Sequence, residues 1–216
     1  MVEIPCGKFK TLLCLGAHSD DIEIGCGGTL LRMIKANPGL KISWVVLSAG
    51  GKRTTEARRS AQFFLGNAAT VRVTIKQFRT SYFPFEGAKI KRFFESLKKL
   101  PKPDLILTHY REDRHQDHRL VSDLTWNTFR DHLILEYEIP KFDGDMGQPN
   151  VFVSLEEKTC LEKVGAVCRF FKTQNNKHWF SEDTFLGLMR LRGIECASPT
   201  RYAEAFHVRK LMLGTR

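Results

Sequence analysis

The chain has 216 residues, 42% apolar and 27% charged, which is enough for a sizeable core; its 16 Phe argue against disorder. Thirty-four Lys and Arg against 24 Asp and Glu leave a formal charge of +10, which favours an anionic substrate, a nucleic acid or an acidic surface without choosing among them. No run approaches the roughly 18 consecutive apolar residues of a membrane span. The six cysteines contain no C-x-x-C pair and no dense spacing, so reduced thiols and a cytoplasmic location are expected, with residues 1–216 forming a single domain.

Lys8 and Lys10 ahead of Thr11–Ala17 imitate the start of a signal peptide. The apolar run is short and leads directly into His18-Ser19-Asp20-Asp21, so it reads as a buried first strand. A helix is predicted to start near Gly27 and to carry Leu30, Leu31 and Ile34 until Asn37-Pro38-Gly39 stops it. Ile42 to Leu47 follows as a strand, Thr54 to Leu65 as a helix ending at Gly66-Asn67, and Val71 to Ile75 as a third strand. Lys89 to Leu100 is amphipathic, with Ile90, Phe93, Phe94 and Leu97 on one face and Pro101 and Pro103 closing it. Leu105 to Thr108 is the fourth strand, Asp117 to Phe129 a helix and Ile134 to Ile139 a strand. Lys141 to Pro149 is full of turn formers and reads as a loop. Past Val153 the pattern is mostly helical, Glu156 to Phe171 and Glu182 to Leu191, before a last strand at Tyr202 to Val208. Strands alternating with helical crossovers predict an α/β fold, a Rossmann-like three-layer sandwich around a mostly parallel sheet.

Two segments hold most of the unusual polar residues, and each follows a predicted strand, the edge where open parallel sheets bind ligands. The first runs from Gly16 to Leu30 and contains His18, Asp20 and Asp21; the second runs from Thr108 to His118 and contains His109, Asp113, His115 and Asp117. Imidazole and carboxylate together suit a catalytic zinc, which typically takes three protein ligands and leaves a position for water. His18, Asp21 and His118 would supply that set, leaving Asp20 as a base. Plainer readings exist for each part. Asp20 and Asp21 would cap a helix, Gly25-Cys26-Gly27-Gly28 would be a phosphate loop, and His109 would simply end its strand.

These residues resemble the PIG-L/LmbE-like family of zinc-dependent N-deacetylases. The first family signature stands here as Ala17-His-Ser-Asp-Asp-Ile-Glu-Ile-Gly-Cys-Gly-Gly-Thr29, with Ser19 for the usual proline, and the second as His115-Gln-Asp-His118. Weaker agreement runs through Arg53-Thr-Thr-Glu56, Pro103-Asp104, Thr173-Gln174, Arg192-Gly193 and Tyr202-Ala-Glu-Ala-Phe206; Phe171 stands where many members have His. The resemblance implies that His18, Asp21 and His118 bind one Zn²⁺ per chain and that Asp20 is the general base. It further implies that His115 polarises the amide carbonyl, that Asp117 orients the His115 ring and keeps it cationic, and that Arg53 contacts substrate.

The expected activity is therefore hydrolysis of an N-acetyl group on an amino sugar, an N-acetylglucosamine-type glycan, glycolipid or glycoconjugate, with an anionic form compatible with the charge. The Asp143 loop and Trp179-Phe180 are candidate sugar-binding elements, against a half-buried core role for Trp179. Two rivals stand beside this reading. One is a basic glycan- or phosphate-binding module with a non-catalytic metal site, drawing on Lys76, Arg79, Lys89, Lys91, Arg92, Lys98, Lys99 and Lys102; the bland reading of that run is a solvated face. The other is a zinc amidase on a non-sugar amide. No nucleic-acid motif is present, iron or another divalent metal would also suit two His and a carboxylate, and a homo-oligomer is left open.

Overall fold

The computed structural model describes residues 9–212. Strand β1 (Thr11–His18) is apolar on both faces: Leu12 and Cys14 enter one core, Leu13, Leu15 and Ala17 the other. A strand with no polar face belongs in the middle of a layered structure. It lies there, paired in parallel with β2 (Lys41–Ser48) on one side and β4 (Leu105–His109) on the other. β3 (Thr70–Ile75) continues in parallel beyond β2, and β5 (Leu133–Tyr137) beyond β4. β7 (Tyr202–Val208) then pairs antiparallel with β5, and β6 (Val151–Leu155) antiparallel with β7, giving the order β3-β2-β1-β4-β5-β7-β6.

Helices α1 (Asp21–Ala36), α2 (Lys52–Leu65), α5 (Glu157–Phe170) and α6 (Glu182–Glu195) cover the face that Leu12 and Trp44 enter. Helices α3 (Gly87–Leu97) and α4 (Gln116–Thr128) cover the other, against Leu15, Val45 and Ile106. This is the three-layer, mostly parallel α/β architecture expected from the alternation. Chain order reverses direction across the sheet between β1 and β4, so their carboxyl ends, His18 and His109, lie at the switch point, the place where open α/β sheets bind ligands.

Several boundaries differ from expectation. α1 starts at Asp21, not near Gly27, and the glycine-rich stretch lies inside it around a break at Cys26 (φ −146°, ψ 17°). The glycines answer to packing: a Cβ on Gly25 would fall 2.2 Å from Cδ2 of Tyr137, and one on Gly28 2.6 Å from Cδ1 of Leu155. The break frees the amides of Gly28 and Thr29, and both donate to the Glu204 carboxylate, at 2.8 and 2.6 Å. Lys163 reaches in from α5, donating to the Ile24 carbonyl at 2.6 Å and pairing with Glu204 at 2.7 Å. The amides that a phosphate loop would offer are thus taken by the chain's own carboxylate, which removes that reading.

β6 was not anticipated, because an edge strand of five residues leaves little pattern between a loop and a helix. α3 starts two residues early, after a 3-10 turn at Phe83–Glu86, and α6 runs on to Glu195. Phe171 and Phe180 are buried and Trp179 is half-buried against the same core, so that pair packs the interior instead of offering a sugar platform. On α3 and its flanks, Lys89 pairs with Glu86, Lys91 and Lys98 with Glu95, and Lys102 with Asp131, so much of the basic run is locally neutralised. Cys14, Cys26, Cys160, Cys168 and Cys196 are free thiols. No helix among the described residues is long and apolar enough to cross a membrane.

Candidate active site

β1 delivers His18 as its last residue, and the chain turns at once into α1, which places Asp21 in its first turn. β4 delivers His109, and the following turn leads into α4, whose first turn carries Asp117 and His118. His18 Nδ1 lies 3.1 Å from His118 Nε2; Asp21 Oδ2 is 3.5 Å from the former nitrogen, and Asp21 Oδ1 3.6 Å from the latter. Ligands about 2.1 Å from a tetrahedral cation are separated by about 3.4 Å. Two imidazoles and a carboxylate presented at these separations therefore fit a single zinc-sized ion.

The far nitrogens support the same reading. His18 Nε2 is 3.0 Å from Asp117 Oδ2, and His118 Nδ1 is 2.8 Å from Asp113 Oδ2. Each imidazole thus has one nitrogen fixed by a carboxylate and the other aimed at the shared point, the arrangement metal-ligating histidines adopt. Among the described residues two overlapping donor groups are close enough to hold an ion, His18, His115 and His118, and Asp21, His109 and His118; each shares two residues with the expected set His18, Asp21 and His118, and neither is that set itself.

Charge follows burial and neighbours. Burial disfavours the cationic form of His18, but Asp21 and Asp117 outweigh it and pull its pKa up to about 10. His118 is pushed down to about 3 by burial and by His109, against Asp21 and Asp113, so it is a neutral imidazole at neutral pH. Asp21 stays ionised: burial opposes its charge, but His118, His109 and His18 hold its pKa well below the usual carboxylate range. Asp20 is raised to about 6 by burial and by the adjacent Asp21, with His18 and Lys177 pulling the other way.

Asp20 is buried at the head of α1, yet its side chain does not cap the helix, so the capping reading fails for it. Its carboxyl has no hydrogen bond or ion pair with another side chain among the described residues and is free for other work. His115 caps α4: its Nδ1 accepts the Asp117 amide at 3.2 Å, which in a neutral ring leaves the proton on Nε2. Burial and then His18 lower its pKa, so the ring is neutral, not cationic as expected.

Asp117 also departs from expectation. Its carboxylate does not touch the His115 ring; it accepts from the amides of Ser81 (2.6 Å) and Phe83 (3.1 Å) and holds His18. Three residues outside the expected site belong to it. Asp113 backs His118; Lys141 pairs with Asp113 at 3.1 Å; and fully buried His109 stacks on His118 with its Nε2 3.1 Å from Asp21 Oδ2. His109 does end its strand, so the plain reading described its position and missed its neighbours. Arg53 sits in the first turn of α2, half-buried, beyond the end of β2 that lies in register with His18. Its guanidinium has no ion pair or hydrogen bond among the described residues.

Comparison with known proteins gives the family and the fold. Residues 13–129, more than half of the chain, match the family model PIG-L, described as GlcNAc-PI de-N-acetylase. The chain is 30% identical over 175 residues to the uncharacterized deacetylase YaiS of Escherichia coli (strain K12), covering 74% of this chain and 90% of that protein. Among solved structures it is similar to N,N'-diacetylchitobiose deacetylase from Pyrococcus horikoshii, with TM-score 0.73 and 18% identity over 94% of this chain and 84% of that one. It is also similar to GalB, the 4-carboxy-2-hydroxymuconate hydratase of Pseudomonas putida KT2440, with TM-score 0.72 and 16% identity over 96% of this chain and 99% of that one. At these identities the two structures speak for the fold alone. With the family model spanning β1 to α4 and a relative 30% identical over 74% of the chain, the chain belongs to the PIG-L family.

Proposed function

We propose that the chain is a zinc-dependent N-deacetylase that hydrolyses the N-acetyl group of an amino sugar or glycoconjugate, releasing acetate and the free amine. The observation that carries this reading is the facing pair His18 Nδ1 and His118 Nε2, each ring backed by its own carboxylate and both beside Asp21. His18, Asp21 and His118 would hold the ion. When bound, zinc supplies Lewis acidity, lowering the pKa of water from 15.7 toward about 7 and polarising a carbonyl.

The chain's own groups supply the proton transfers. Asp20, unencumbered and ionised above about pH 6, takes a proton from the attacking water. His115 presents its Nε2 proton to the carbonyl oxygen as that oxygen becomes anionic, and such a donor is worth about 3 to 4 kcal/mol. As the C–N bond breaks, Asp20 returns the proton to the departing nitrogen. Asp117 acts by holding His18. Arg53, unpaired among the described residues and just past the strand whose end lies in register with His18, is the group that would meet an anionic substituent of the substrate.

The test is Asp20→Asn, assayed for zinc content and for acetate release from N-acetylated sugars, including lipid-, nucleotide- and glycan-linked forms, and from a non-sugar acetamide. The expected outcome is unchanged zinc with activity lower by about 10²- to 10⁴-fold, and a wild-type rate that falls as pH drops through about 6. Full activity in the variant would remove Asp20 from the base role. Stoichiometric zinc with no acetate release from any of these would favour the non-catalytic binding module.

A further inference from the structure

We propose that Lys141 is a positioning residue of the metal centre: its ammonium group fixes Asp113, Asp113 fixes the ring of His118, and the loop carrying Lys141 is thereby coupled to His118 Nε2. This rests on the metal reading above. The two histidines that face each other are supported differently. Asp117, behind His18, is anchored by the main-chain amides of Ser81 and Phe83, which no side-chain substitution removes. Asp113, behind His118, spends Oδ1 on the His115 amide at 2.8 Å. Oδ2, the atom that holds His118, has as its other charged partner among the described residues only Lys141, at 3.1 Å.

Lys141 belongs to the irregular segment between β5 and β6, which carries exposed Phe142 and Met146. From there its side chain turns inward until it is 8% exposed, between Asp113 and Asp145. Asp145 accepts from Lys141 Nζ at 2.7 Å through Oδ1 and from the Arg114 amide through Oδ2. A continuous chain therefore runs from the Arg114 amide through Asp145, Lys141 and Asp113 to His118. Enclosing a lysine with two carboxylates is a poor way to gain stability, since desolvation consumes most of the attraction. It is an effective way to hold a carboxylate oxygen at one point, and outer partners of metal ligands matter in that way. Contacts that a substrate makes with the Phe142–Met146 segment would reach the metal ligand through the same chain.

The experiment uses the full chain and Zn²⁺ alone, with affinity read by competition against a chromogenic chelator in the absence of substrate. Lys141→Met is expected to weaken zinc binding by about 10- to 100-fold, and Lys141→Arg to recover most of it, because a guanidinium can hold both carboxylates. Asp145→Asn removes one of the two carboxylates that hold Lys141 and leaves the Lys141–Asp113 contact, and is expected to lose clearly less affinity than Lys141→Met. Lys141→Gln, which keeps a donor without the charge, serves if the methionine variant does not fold; a smaller but resolved loss is expected there. Wild-type affinity in Lys141→Met or Lys141→Gln would overturn the proposal, as would an equal loss in Asp145→Asn, which would reduce Lys141 to a loop fastener. A wild-type chain that takes up no zinc would instead overturn the metal reading, and this inference with it.

Discussion

At His18 two demands meet on one ring. Asp117 holds Nε2, while Nδ1 faces His118 and is the atom a cation would use. With a pKa pulled up to about 10 against the cost of burial, the ring keeps its proton at neutral pH until a metal displaces it. The sign follows: raising the pH removes the competing proton, so zinc binds more tightly. Apparent affinity is expected to rise about tenfold per pH unit between pH 6 and 8, the slope for one displaced proton, measured by chelator competition; a flat profile would mean that His18 does not carry the proton. The clustering of His18, Asp21 and His118, the proposed ligand set, was legible in the sequence because all three sit at or just past the ends of β1 and β4 in short polar stretches. The misplaced partner of Asp117 has a physical cause: residues two apart at a helix start do not face each other, so proximity to His115 in the chain was misleading. Asp113, His109 and Lys141 were missed because only the three-dimensional course of the turn and loop decides which atoms they meet.

At the scale of the element, α1 is two short helices held end to end. Its glycines have low helix propensity, each costing about 1 kcal/mol relative to alanine, which is why the sequence suggested a loop before Gly27. Tertiary contacts override that cost: Tyr137 presses on Gly25, and Glu204 and Lys163 satisfy the groups that the break exposes. Gly25→Ala is therefore expected to destabilise the fold by about 1 to 3 kcal/mol through overpacking, read as a lower midpoint in urea unfolding. It should also weaken zinc binding, because the displaced turn carries Asp21. If alanine there left both unchanged, Tyr137 would have to yield more easily than its buried position and its 2.6 Å bond to the Leu15 carbonyl imply.

At the scale of the whole molecule, the strand-and-helix alternation was enough to give the layered parallel sheet and the edge at which the site lies. What it could not give was the antiparallel return of β7 and β6, since pairing partners far apart in the chain leave no local pattern. That return has a consequence for assembly. Every candidate metal donor lies within residues 13–129, the stretch the family model matches, yet the carboxylate that joins the two halves of α1 is 175 residues from its nearer amide partner. Contacts of such separation form late, after the loop-closure entropy has been met. A nascent chain that has just emerged through α4 thus holds a full set of ligands on an unfinished scaffold. A fragment ending before α5 is expected to bind zinc far more weakly than the full chain, so the centre gains its affinity only as the last strand docks.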